Sequence, residues 1–262
     1  MRVTVDHAET FVYTGSRALA AAQTSVMFVH GAALDHSVWA LQSRYFAHHG
    51  FNALAVDLPG HGRSAGAPLA SVDAIADWLV DVLDTIAVEQ AVLVGYSMGA
   101  LAALSCAARH GPRVSKLALL GPAVPMGVSD ALLDAARADD HLAFELINGW
   151  SHSAGKQLGG NQVPGLWMTG ASMRLLERSG PGVLHTDLRA CVDYVGGLDA
   201  AAAVHCPSLV ILGARDIMAP PRGAQALIAA LERPTVVTLP DTGHAMMAEQ
   251  PDAVLDALRS FV

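Results

Sequence analysis

The chain has 262 residues, of which 52% are hydrophobic and 15% charged, and its formal net charge is -8. That length buries a full core and suits one α/β domain with an insertion; the composition excludes a disordered chain and the acidic balance gives no footprint for nucleic acid. Small molecules are the expected partners.

From the amino terminus, MRVTVDHAET holds no apolar stretch of the signal-peptide kind. No run of about 18 apolar residues marks a membrane span, so a cytoplasmic location with no membrane partner is expected. Buried apolar strands are predicted at TSVMFVHG (24–31), FNALAVD (51–57), QAVLVGYS (90–97), SKLALLG (115–121), PSLVILG (207–213) and PTVVTLP (234–240). Near-continuous apolar runs, rather than alternating ones, predict strands buried on both faces of a parallel sheet. Helices are predicted between them. The clearest is 72–86, where Val72, Ile75, Leu79, Val82, Leu83 and Ile86 recur at helical spacing behind an N-cap at Ser71. Residues 99–109, 221–231 and 251–261 read the same way, the last with Pro251 in its first turn. Between 123 and 203 no buried strand can be picked out, and a structureless loop of that length is improbable, so a mostly helical insertion is expected there. The core is then 1–122 with 204–262. Cys106, Cys191 and Cys206 share no metal-ligand spacing and leave one unpaired in any disulfide scheme, which predicts buried free thiols.

The stretch VGYSMGA (94–100) puts Ser97 between Gly95 and Gly99 at the end of a predicted strand. A strand reversing sharply into a helix strains its apex residue and needs small neighbours, the pattern of a nucleophile elbow. A serine hydroxyl needs an imidazole base, and the base needs a carboxylate to fix its tautomer, in the chain order Ser, acid, His. Asp216 in GARDIMAP and His244 in DTGHAMM follow later strands and fill those roles; Asp241 is the nearest rival acid. Two backbone donors for an oxyanion are expected at Met98, just after the serine, and at Ala32 in the His30-Gly31-Ala32 turn. His30, Asp57, His61 and Arg63 are expected to shape loops. The twelve histidines form no H-x-x-x-H cluster, so no metal is expected. Phe144, Trp150, Trp167, Met168 and Met173 in the insert, and Met246 and Met247 beside the base, are candidates for a substrate pocket; packing of the insert on the core is an equally good account of them.

Together FVHGAALDHSVW, VDLPGHGRS, VGYSMGA, GARDIMAP and TGHAMMAEQP resemble the α/β-hydrolase superfamily, in its cap-bearing, esterase-like serine-hydrolase branch. The resemblance implies a mostly parallel, doubly wound sheet with a helical cap, a Ser97–Asp216–His244 triad, an oxyanion hole at Ala32 and Met98, and no cofactor. The implied reaction is hydrolysis of a small carboxylic ester. The same triad would serve a thioesterase or carrier-protein methyl esterase, a carbon–carbon hydrolase or a cofactor-free haloperoxidase, and the fold also serves non-catalytic ligand receptors. Two departures stand out. Ala100 replaces a second glycine common after the elbow, and the segment after Gly31 lacks the glycine-proline-glycine run of carbon–carbon hydrolases.

Overall fold

The structure, a computed structural model, describes residues 1–160, 162 and 165–262. The chain opens with β1 (Arg2–Val5) and β2 (Ala8–Tyr13), followed by β3 (Ser25–Val29), α1 (Ala40–His48), β4 (Asn52–Val56), α2 (Val72–Thr85), β5 (Ala91–Tyr96), α3 (Met98–Arg109) and β6 (Val114–Leu120). A helical excursion holds α4 (Asp130–Arg137), α5 (Leu142–Ser151), α6 (Ala154–Gln157), α7 (Met168–Leu176), α8 (Val183–Asp193) and α9 (Gly197–Ala202). The sheet then resumes with β7 (Ser208–Gly213), α10 (Gln225–Ala230), β8 (Thr235–Leu239), α11 (Met246–Glu249) and α12 (Pro251–Phe261).

Among the described residues the strands form one sheet in the order β1-β2-β4-β3-β5-β6-β7-β8. β1 and β2 pair antiparallel, as do β2 and β4, and every later pairing is parallel. This is the α/β-hydrolase fold. Strand alternation splits the core in two. Met27, Val29, Leu93 and Leu119 face α2 and α3, whereas Val26, Phe28, Val94 and Leu120 face α1 and α12. Ser71 caps α2 as expected, its hydroxyl accepting the Ala74 N–H at 3.1 Å. The helix then lays Ile75, Leu79, Val82 and Leu83 on the sheet, each side chain contributing roughly 1.5–3 kcal/mol by leaving water.

The expectations need three corrections. The β1–β2 hairpin was not predicted; its turn uses Asp6 and His7 at φ 48° and 65°, left-handed values taken without glycine. β8 is not buried on both faces, because it pairs only with β7 and leaves Thr235, Val236 and Thr238 exposed. Cys206 is half-buried, while Cys106 and Cys191 are buried as expected, with burial raising the Cys106 thiol to about 12. The excursion has its own apolar cluster, in which Leu132, Ile147, Leu176, Leu184 and Leu188 gather over Ala33. Its last helix behaves differently from the rest, since α9 packs on α3 and α10. Among the described residues no helix is long and apolar enough to cross a membrane.

Candidate active site

β5 enters Ser97 and α3 leaves it, with Ser97 at φ 55° and ψ -117°, a strained apex conformation for a residue with a side chain. The flanking glycines are needed for space. A β-carbon at Gly95 would strike the Gly99 backbone, and one at Gly99 would strike the Val29 and His30 carbonyls. Ala100 is fully buried beneath the apex, so a methyl group fits where a glycine is common.

The loops after β7 and β8 bring two side chains to this apex. His244 Nε2 lies 2.9 Å from Ser97 Oγ, and His244 Nδ1 lies 2.6 Å from Asp216 Oδ2. The carboxylate can only accept, so Nδ1 carries the proton and Nε2 is free to accept from the serine hydroxyl. Asp216 Oδ1 is held by the N–H groups of Met218 and Ala219 at 2.9 and 2.8 Å. Both His244 and Asp216 are 3% exposed, which shields the line from water. Asp241 is exposed and lies beside Arg215.

The turn after β3 lies against the same apex, where a β-carbon at Gly31 would sit 3.2 Å from Ser97 Cβ. Among the described residues the N–H groups of Ala32 and Met98 donate to no protein acceptor. Next to them Ala33 is held at φ 54°. A cavity of about 970 Å³ opens above Ser97 and His244, walled by Leu34, Met126, Leu132, Ile147 and Met218. Of the pocket candidates, Trp150, Met168 and Met247 line it, whereas Phe144, Trp167, Met173 and Met246 do not. Phe144 packs inside the cap cluster, Trp167 is 75% exposed and covers Gly170, and Met246 is fully buried in the core beneath. The exposed Arg174 and Arg178 also border the cavity, paired with Glu177 and Asp35.

Asp35, His36 and Asp57 are the one group of described residues spaced as metal ligands. Their atoms already serve one another: Asp57 Oδ1 accepts from the His36 N–H and faces His36 Nδ1 at 2.8 Å, its Oδ2 accepts the Arg63 N–H, and Asp35 accepts the Ser37 N–H. Burial alone would raise the Asp57 carboxyl, but these donors hold it below the usual range. The group is a loop clamp, in keeping with the structural role expected for Asp57.

Two buried carboxylates beside the site are absent from the sequence reading. Glu249 accepts from the Gly243 N–H, one residue before His244, and from the Ser153 N–H and hydroxyl. Asp187 accepts the Ala33 N–H at 2.8 Å. An acid on the inner side of an otherwise apolar helical pattern was the available hint at Asp187.

Comparison with known proteins agrees with this architecture. Residues 26–257 match the model of the alpha/beta hydrolase family. The AB hydrolase superfamily protein YisY of Bacillus subtilis is 27% identical over 252 residues, covering 90% of each chain. A pimeloyl-[acyl-carrier protein] methyl ester esterase of Xanthomonas campestris is 30% identical over 259 residues, covering 91% of this chain and 94% of that one. The enol-lactonase of Burkholderia xenovorans superposes with a TM-score of 0.87 at 23% identity, covering 100% of this chain and 99% of that one.

Proposed function

The chain belongs to the alpha/beta hydrolase family, and from that membership we propose that it is a serine hydrolase cleaving carboxylic esters through an acyl-enzyme. The observation that carries the reading is the hydrogen-bonded line from Ser97 through His244 to Asp216 at the floor of an apolar cavity. In this reading His244 Nε2 takes the Ser97 proton as Oγ attacks the ester carbonyl, and Asp216 stabilises the resulting imidazolium. The Ala32 and Met98 N–H groups receive the oxyanion. His244 then gives its proton to the departing alcohol. Water, deprotonated by the same imidazole, releases the acid and restores Ser97.

The apolar walls favour an ester with a hydrocarbon acyl or alcohol part. A second reading has a specific support: Arg174 and Arg178 beside the cavity suit a substrate with an anionic end, and the Xanthomonas relative is a methyl ester esterase of a carrier-bound pimeloyl chain. The test is labelling by a fluorophosphonate and turnover of p-nitrophenyl esters across acyl lengths, beside methyl esters ending in a carboxylate. Ser97→Ala is expected to abolish labelling and lower turnover by at least about a thousandfold. A wild-type chain that neither labels nor turns over any of these esters sinks the reading, and tight ligand binding without turnover would make it a receptor.

A further inference from the structure

The turn that carries Ala32 is fastened from the far side by a side chain of the helical excursion. Asp187, on α8, is 1% exposed; its Oδ2 accepts the Ala33 N–H at 2.8 Å and lies 2.8 Å from His61 Nε2. The other ring nitrogen of His61 lies 2.9 Å from the Pro59 carbonyl. A carbonyl and a carboxylate both accept only, so both ring nitrogens carry protons and the pair is a buried imidazolium and carboxylate. Burial opposes charge on His61, but the Asp187 carboxylate outweighs it and the imidazole pKa is raised. The groups facing the pair fit this. His30, its ring centred 5.0 Å from that of His61, is neutral, with Nδ1 donating to the Gly31 carbonyl and Nε2 accepting the Leu58 N–H. The Asp57 carboxylate adds a further favourable charge.

Ala33 is left-handed without being glycine, a conformation that persists only where the surroundings enforce it. Among the described residues its one polar restraint toward the excursion is Asp187, and its N–H belongs to the peptide that follows Ala32. We propose that Asp187, paired with His61, is a positioning residue that sets the aim of the Ala32 N–H, so that the oxyanion site is complete only while α8 is docked on the core. The catalytic consequence rests on the serine-hydrolase reading; the contact itself does not.

The test combines amide hydrogen exchange over residues 31–34 with ester kinetics on Asp187→Ala and Asp187→Asn. Asp187→Ala is expected to speed exchange there and to lower kcat tenfold or more, with KM for a short-chain ester changed less than about threefold, because a misaimed donor weakens the transition state and not substrate binding. Asp187→Asn keeps a neutral oxygen for the Ala33 N–H, and is expected to show a smaller loss, about threefold, with intermediate exchange. Unchanged exchange and kcat in Asp187→Ala overturn the proposal, as does a loss expressed mainly in KM. Should Asp187→Ala not fold, Asp187→Asn decides alone, and exchange and kcat equal to wild type overturn it. If the wild-type chain proves inert to esters and fluorophosphonate, the hydrolase reading falls while exchange still decides whether Asp187 holds the turn.

Discussion

Gly121 illustrates how a residue without chemistry of its own constrains the His244 ring. It follows β6 directly, at φ 58°, and a β-carbon there would lie 3.0 Å from Cε1 and 3.1 Å from Nδ1 of His244. Gly121→Ala must therefore push the imidazole off its line between Ser97 and Asp216, and the φ value adds strain of about 1 kcal/mol. We expect kcat for an ester to fall at least about tenfold while the melting temperature drops by only a few degrees, roughly; wild-type kcat in this variant would mean the imidazole has slack. In the sequence this position registers only as the last residue of the predicted strand SKLALLG (115–121). Ser97, Asp216 and His244 were legible because each is a chemically marked residue type at the end of an apolar run. Asp187 and Glu249 were not, since much of what they bind is backbone N–H, beside one side chain each, His61 and Ser153, far away in the chain. Their partners lie 154 and 96 residues away, at Ala33 and Ser153, and a backbone donor leaves no mark in a side-chain pattern.

Among elements, the connection between α11 and the segment after α5 determines how firmly the His244 loop is held. Glu249, fully buried, accepts the Ser153 N–H at 2.8 Å, the Ser153 hydroxyl at 2.7 Å and the Gly243 N–H at 3.0 Å, while the Ser151 carbonyl accepts the Ala245 N–H at 2.8 Å. His244 is thus bracketed on both sides by backbone tied to the excursion. Glu249→Ala leaves the buried N–H groups of Ser153 and Gly243 without an acceptor, while the Ser153 hydroxyl keeps the Asp241 carbonyl at 3.2 Å, and we expect it to cost about 3 kcal/mol in urea unfolding. Glu249→Gln turns one oxygen into a donor facing donors and should lose somewhat less. A Glu249→Ala chain within about 0.5 kcal/mol of wild type would show that water replaces the carboxylate there. The excursion is also where sequence reading was weakest. Its helices are foreseen as a class, but residue type alone makes Phe144 and Trp167 in it, and Met246 beside His244, candidates for the pocket as readily as for packing. Which face of a short helix meets a cavity depends on neighbours that a sequence pattern does not order, and here Phe144 turned into the cap and Met246 into the core. The β1–β2 hairpin escaped for a related reason: its strands are short and half-exposed, and its turn carries no glycine.

At the scale of the whole molecule, two adjacent buried histidines give stability opposite slopes with pH. His30 is fully buried, and burial, with the charge on His61, lowers its pKa to about 4. The unfolded chain therefore takes up this proton more readily than the folded one between about 6.5 and 4, so its contribution is complete above that window and declines as pH falls through it, by on the order of 3 kcal/mol. For His61 the direction reverses. Burial opposes its charge but Asp187 raises its pKa, so its contribution is complete below the unfolded value and is lost as pH rises through the folded one. The chain should be most stable near neutrality, between the two losses. Urea midpoints from pH 4 to 8 measure this directly, with His30→Gln as the control. That substitution removes one titration, whatever constant offset it adds, so the variant's stability should vary less between pH 4 and 6.5 than that of wild type. An identical slope in the two proteins would mean that His30 is protonated in the folded state after all. The neutral ring that accepts from Leu58 and donates to Gly31 would then be the wrong description of the turn beneath Ala32.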